Sequence, residues 1–223
     1  MKVALCFHGQ PRNWLSAVPY IKNNILLNYD TDIFGHTWWD ELQIGKEYQT
    51  SPFTGGKKYF ITEGDIEKLK QTYDFRDFKV DAPRNFLNEK KYKVYIPEKH
   101  DILINSLKSR YFSLKTVLNM TQKYEKENNL DYDWLLLTRY DIEILMMPNL
   151  NNLEQNKIYV ENYVHRGRKW ILNDMFIILG NKYKYVHKNI YDDFDKNWEL
   201  MQKIPETFLP IIKNTELEHT RGI

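Results

Sequence analysis

The chain has 223 residues, 42% of them apolar and 15% aromatic, with a formal net charge of +2. That length and apolar content suffice to bury the core of one domain, and they exclude a disordered chain, which pairs low hydrophobicity with high net charge. A single cysteine excludes an internal disulfide and a cysteine-based zinc site.

Lysines far outnumber arginines and are interleaved with acids, as in Glu125-Lys126-Glu127. The concentrated basic face of a nucleic-acid binder is not seen, so no nucleic-acid partner is expected, and each arginine calls for an explanation. No apolar run approaches the ~18 residues of a membrane span. The opening Met1-Lys2-Val3-Ala4-Leu5-Cys6-Phe7 is too short for the apolar region of a signal peptide, so a cytoplasmic protein is expected.

Lys2 to Phe7 reads as a short buried strand stopped by His8-Gly9-Gln10-Pro11. A helix is predicted from Ser16 to Tyr29, with Trp14, Val18, Ile21 and Ile25 on one stripe and Pro19 acceptable only in its first turn. Asp32 to Trp38 reads as a second strand. Thr62 opens another helix, with Asp65 as a capping-box acid and Ile66, Leu69 and Tyr73 facing inward. Phe78 to Ala82 is a short strand. A longer helix runs from Ser106 to Glu127, with Tyr111, Leu114, Leu118 and Thr121 inside. Trp134-Leu135-Leu136-Leu137 is continuously apolar, the pattern of a strand buried on both faces. Strands are predicted again at 157–160 and 175–179, and helices at 182–200 and 206–213. This alternation predicts an α/β sandwich around a mostly parallel sheet, whose ligands bind beyond the carboxyl ends of the strands.

Two segments stand at such ends. In His8-Gly9-Gln10-Pro11-Arg12, Gly9 permits close approach of a ligand and Arg12 suits phosphate oxygens; the competing reading is a tight turn with a surface arginine. In Leu137-Thr138-Arg139-Tyr140-Asp141-Ile142-Glu143, an extended chain would project Arg139, Asp141 and Glu143 to one side. Two acids so spaced can hold Mg²⁺ or Mn²⁺ together with substrate phosphates. The competing reading is a salt-bridge cluster at the sheet edge.

Four segments, taken in order, extend the reading. They are residues 3–12, Asp32-Ile33-Phe34-Gly35-His36-Thr37-Trp38, Ser109-Arg110-Tyr111-Phe112-Ser113-Leu114, and Tyr132 to Ile142. Together they resemble a family of small glycosyltransferases with the nucleotide-diphospho-sugar transferase (GT-A) fold, found in bacterial polysaccharide loci and large DNA viruses. The resemblance spans most of residues 1–180. It implies a three-layer α/β/α sandwich acting as a single catalytic domain over 1–223, a length compatible with the first domain of a longer enzyme. It also implies a hexosyltransferase-type enzyme of polysaccharide biosynthesis, moving a sugar from a nucleotide-diphosphate sugar to a saccharide or glycan acceptor. On this resemblance Phe7, Gly9, Gln10 and Arg12 would hold the donor nucleotide, with Ser109 and Tyr111 lining the pocket and Arg139 either contacting the phosphates or ordering the two carboxylates beside it. Asp141, helped by Glu143, would carry Mn²⁺ or Mg²⁺, although Glu143 and the basic Arg139 depart from the strict Asp-x-Asp motif. Asp174, in Asn173-Asp174-Met175-Phe176, would be the acceptor-side base of an inverting enzyme. A turn cap is the competing role for Asp174.

Two other functions remain open. A nucleotidyltransferase that makes the sugar nucleotide would normally carry a glycine-rich basic loop after the first strand, and this loop has one glycine and one arginine. A non-catalytic carbohydrate-binding domain would bind saccharide and no nucleotide. Other residues read as structural. His8, His36, His165, His187 and His219 lack metal-ligand spacing, His219 being the one this fold sometimes turns on the metal. Trp38-Trp39 reads as packing, Gly55-Gly56-Lys57-Lys58 as a loop, Asp192, Asp193 and Asp195 as surface, and Cys6 as an inert core thiol.

Overall fold

The computed structural model describes residues 1–49, 58–87, 92, 98, 100–161 and 173–202. Among the described residues, eight strands and four α-helices follow in chain order. They are β1 (Lys2–His8), α1 (Trp14–Ile21), β2 (Asp30–Trp38), β3 (Glu47–Gln49), β4 (Lys58–Phe60), α2 (Asp65–Tyr73), β5 (Asp77–Asp81), α3 (His100–Asn128), β6 (Trp134–Thr138), β7 (Ile158–Glu161), β8 (Asn173–Gly180) and α4 (Phe194–Gln202).

The main sheet has the order β5-β2-β1-β6-β8-β7, and β3 and β4 form a separate ribbon. β1 pairs parallel with both β2 and β6, and β2 pairs parallel with β5. β8 runs antiparallel to β6 and to β7, so the sheet is mixed but mostly parallel. Its central strands are apolar throughout because both faces are covered. On one face Trp14, Ala17 and Ile21 of α1 and Leu69 and Tyr73 of α2 pack on Val3, Leu5, Phe7 and Leu136. On the other, Leu114, Val117 and Leu118 of α3 pack on Ala4, Cys6, Leu135 and Leu137. The period-two alternation of each strand thus feeds two separate cores. Cys6 lies in the second, bonded to Thr121 at 3.2 Å, and burial pushes its thiol up to about 12, consistent with an inert core group.

Several predicted elements end elsewhere than their patterns suggest. Pro19 lies in the second turn of α1, which changes to a π-helical turn over Lys22–Leu26. Proline has no N–H for the carbonyl four residues back, and that residue, Leu15, is exposed to water. Thr62 N–H does bond the Asp65 carboxylate at 2.6 Å, but α2 itself starts only at Asp65, after Gly64 in the left-handed region. α3 begins six residues before the predicted Ser106. The helix predicted over 182–200 is a helix only from Phe194. Before it, the chain turns so that Lys184 reaches buried Glu125 at 2.6 Å and Tyr185 donates to the same carboxylate, an ion pair a continuous surface helix would not bury. The helix predicted over 206–213 lies outside the described residues. Among the described residues no helix is long and apolar enough to cross a membrane.

Gly35 in β2 is dictated by packing. A Cβ there would stand 2.7 Å from ring carbons of Phe75 and Phe78 and 2.8 Å from the Tyr140 hydroxyl. We expect Gly35→Ala to cost about 1–3 kcal/mol by overpacking, read as a lower urea midpoint with an unchanged slope. A neutral substitution would show that the aromatic cluster yields.

Candidate functional site

The strand order locates the site. From β1 the chain winds outward through β2 to β5, then returns to place β6 on the other side of β1. The winding therefore reverses between β1 and β6, and the crevice beyond their carboxyl ends is where open α/β sheets bind ligands. The Gly9 loop follows β1 there, and Arg139-Tyr140-Asp141 follows β6. Because β8 is antiparallel to β6, its first residues reach the same edge: Thr138 pairs with Phe176, and the Asp174 backbone lies two residues beyond. The side chain of Asp174 lies outside the described residues, as do His165, His219 and Gly55-Gly56-Lys57.

Tyr140 anchors one side of this edge. It is fully buried, stacks on Phe7 at 5.0 Å with an interplanar angle of 11°, and donates to the His36 carbonyl at 3.2 Å. Such a stack contributes about 0.5–1.5 kcal/mol beyond the area it buries. Phe7 therefore sits in the core on the face away from α3, and its part in the site is to place Tyr140. With Tyr140 drawn inward, β6 stops at Thr138 and the strand alternation predicted through Glu143 does not continue. Asp141 folds back on Arg139, whose Nε lies 2.9 Å from one carboxylate oxygen while Nη2 donates to the other. Glu143 is exposed.

That geometry bears on the expected ion. Asp141 is a hard oxygen donor, but both its oxygens accept from Arg139 and its charge is balanced. Among the described residues no three His, Cys, Asp or Glu side chains gather into a metal-binding group. The residues present fit a divalent ion poorly, since an ion on Asp141 has to displace Arg139 or share the carboxylate with it.

α3 anchors the other side. The Ser113 hydroxyl accepts from the Gly9 N–H at 2.7 Å and lies 2.7 Å from His36 Nδ1. His36 Nε2 lies 3.0 Å from an Asp81 carboxylate oxygen. Ser109, one turn before Ser113, shares its helix face. Tyr111 points toward α4, its ring 6.0 Å from Phe194. Gly9 has φ +96°, and an added Cβ would meet nothing within 4 Å, so the glycine answers the backbone angle and leaves open space above the loop. Gln10 and Arg12 latch to each other, with Arg12 Nε and Nη2 at 3.3 and 3.2 Å from Gln10 Oε1.

His8, at the end of β1, is 2% exposed, and its Nδ1 has no hydrogen-bond partner among the described residues. Burial and the positive charges of Arg110 and Arg139 hold it neutral, well below the usual histidine range. A buried polar atom without a partner calls for an explanation, and here the charges of Arg110 and Arg139 act on it. Beside the site, between the segment after β5 and α4, a cleft of about 500 Å³ is lined by Arg84, Phe86, Lys108, Tyr191 and Phe194. The Arg84 guanidinium stands 4.4 Å above the Phe112 ring. Trp38 is buried against His36, as packing predicts, and Asp192 pairs with Lys115 on the surface.

The patterns did not reveal His36, Ser113 or Asp81 as partners, because they come from three separate elements. Their only sequence signal was that His36 and Ser113 fall inside the two middle segments of the four singled out above. No protein-family model matches the chain, and no curated protein matches it.

Burial also lowers His36, to about 4, against the opposing pull of Asp81. A histidine depressed in the folded state stabilises the fold fully above its unfolded value near 6.5, and that stability is lost as pH falls toward the folded value. His8 has the same sign. Near pH 5.5 unfolding should therefore take up protons at both sites. Stability should rise with pH between about 4 and 6.5, with a slope of up to ~1.4 kcal/mol per pH unit from each histidine. Urea titrations across that range should show a shallower slope for His36→Gln, and an unchanged slope would place the proton uptake elsewhere.

Proposed function

We propose that this chain is a glycosyltransferase that takes a nucleotide-diphosphate sugar and transfers the sugar to a saccharide or glycan acceptor. One observation carries the reading: the loop after β1 and the Arg139–Asp141 turn meet at the reversal point of the sheet, where His8 keeps an open buried nitrogen beside Arg110 and Arg139. That is an anion-receiving edge of the kind a diphosphate requires.

On this reading the chain's own residues perform most of the work. Glycosyl transfer builds negative charge on the departing nucleoside diphosphate, and preorganised cations lower its energy most where water is excluded. Arg139 and Arg110, both acting on His8, supply that charge, and a guanidinium matches phosphate oxygens through parallel hydrogen bonds. Asp141 holds Arg139 in place until phosphate competes for it. Gln10 and Arg12 border the open space above Gly9, where the nucleoside lies. The cleft beside Phe86 and Tyr191, with aromatic walls and paired charges, suits a neutral polar ring such as a saccharide. Asp174, whose backbone lies at the same strand edge, would take the proton of the acceptor hydroxyl if transfer inverts.

The test is a thermal-shift screen of UDP-, GDP- and dTDP-sugars with and without Mn²⁺. A donor that binds only the native chain stabilises it by about 2.7 kcal/mol at one hundred times its dissociation constant. We expect one nucleotide class to do so and Arg139→Ala to abolish the shift. Asp141→Asn frees Arg139 and should strengthen metal-free binding several-fold. Loss of Mn²⁺-dependent binding in that variant would instead make Asp141 an ion ligand. A shift with free oligosaccharides and none with any nucleotide would turn the reading to a carbohydrate-binding domain.

A further inference from the structure

We propose that Asp81, His36 and Ser113 are positioning residues that set the Gly9 loop in its donor-receiving conformation. The identity of the ligand rests on the transferase reading; the arrangement of the loop does not.

With the His36 ring neutral, the direction of every hydrogen bond in the series follows. An ionised carboxylate only accepts, so Asp81 requires the His36 proton on Nε2, at 3.0 Å. Nδ1 is then a lone pair, and its neighbour at 2.7 Å, the Ser113 hydroxyl, must donate to it. The alternative acceptor for that hydroxyl, the His36 carbonyl, is at 3.5 Å, which is too long to compete. The serine oxygen keeps its own lone pairs, and the Gly9 N–H fills one at 2.7 Å. Ser113 and His36 are both fully buried, so water cannot substitute for a missing partner.

The series spans the carboxyl ends of three parallel strands. It starts at Asp81, which also holds Lys79 at 3.1 Å and Arg84 at 3.5 Å, passes through β2, and ends in the loop after β1. Arg84 lies on the cleft and Gly9 on the crevice, so one chain of hydrogen bonds joins the walls of both. Its consequence at Gly9 is specific. The N–H is turned inward and spent on Ser113, so it is no phosphate donor; the loop offers a ligand open space and the paired Gln10 and Arg12 side chains. Tying down that one peptide holds the turn at φ +96°, on which the direction of Gln10 and Arg12 depends. A loop already ordered before binding forfeits less entropy when a ligand arrives.

The experiment uses the full chain and Ser113→Ala, which keeps α3 intact while removing both hydrogen bonds of the hydroxyl. NMR reads the exchange rate of the Gly9 amide and the ring-nitrogen shifts of His36, and calorimetry reads the affinity for UDP-glucose, GDP-mannose and dTDP-glucose. We expect Gly9 to exchange at least about tenfold faster, the His36 Nδ1 signal to move, and the dissociation constant of the sugar nucleotide that binds the wild type to rise about tenfold. Asp81→Ala, at a partly exposed position, should give the same signs to a smaller extent, and it serves if the first variant does not fold. Unchanged Gly9 exchange would overturn the relay. Faster exchange with unchanged affinity would overturn its role in positioning the donor. If the wild type binds none of these nucleotides, the transferase reading fails, and Gly9 exchange with the His36 signal alone decides whether the relay holds the loop.

Discussion

Every feature of the site depends on β1 being hydrogen-bonded in parallel on both edges, to β2 and to β6. A strand in that position has no free backbone groups along its length and both faces covered, which favours apolar side chains. Val3 through Phe7 fit this, each with no exposed surface. After Lys2 at its start, the next charged or strongly polar side chain of β1 is His8 at its carboxyl end, still enclosed by its neighbours.

The edge so formed is fastened from both sides of the sheet. On the α1 and α2 face, Tyr140 fills the space that Gly35 leaves and reaches the His36 carbonyl. On the α3 face, Ser113 joins the Gly9 peptide to the His36 ring. His36 thus receives a bond at its backbone from one layer and at its side chain from the other. Since dense cores have few intermediate arrangements, the two loops bordering the crevice are held in register with each other.

The electrostatics of the edge are one-sided. Burial lowers His8 and His36, with Arg110 and Arg139 acting on the first and Asp81, Lys79 and Arg84 on the second. Asp141 balances Arg139 through a two-bond fork, an arrangement a dianionic phosphate can challenge because it offers the guanidinium the same geometry with more charge. The fold class alone does not say what binds here, since α/β sheets of this kind serve many chemistries. The functional reading comes from the residues at this edge.

Much of the architecture was legible in the chain itself. The unbroken apolar runs of β1 and β6 announced strands buried on both faces, and the stripe of Leu114, Leu118 and Thr121 announced which side of α3 faces the sheet, because burial imposes a repeat of two on strands and of about 3.6 on helices. The two loops that border the crevice were legible too, as polar segments halting apolar runs. What periodicity could not carry was anything that depends on where a strand stops or on contacts between distant segments. Extending the alternation of β6 aligned Arg139, Asp141 and Glu143. Tyr140 instead turned into a pocket made by Gly35 and Phe7, residues more than a hundred positions away, and sent Asp141 back onto Arg139. Likewise, the chain after β8 read as one helix until buried Glu125 claimed Lys184. Ser113, His36 and Asp81 carry no shared pattern at all; parallel pairing and the packing of α3 bring them within hydrogen-bond reach. The chain alone determined the buried strands β1 and β6, the inward face of α3 and the polar loops that end those strands, since these follow from local repeats of burial. Only the tertiary structure decided which side chains meet at the crevice, because hydrogen bonds and ion pairs are satisfied between elements that the sequence keeps far apart.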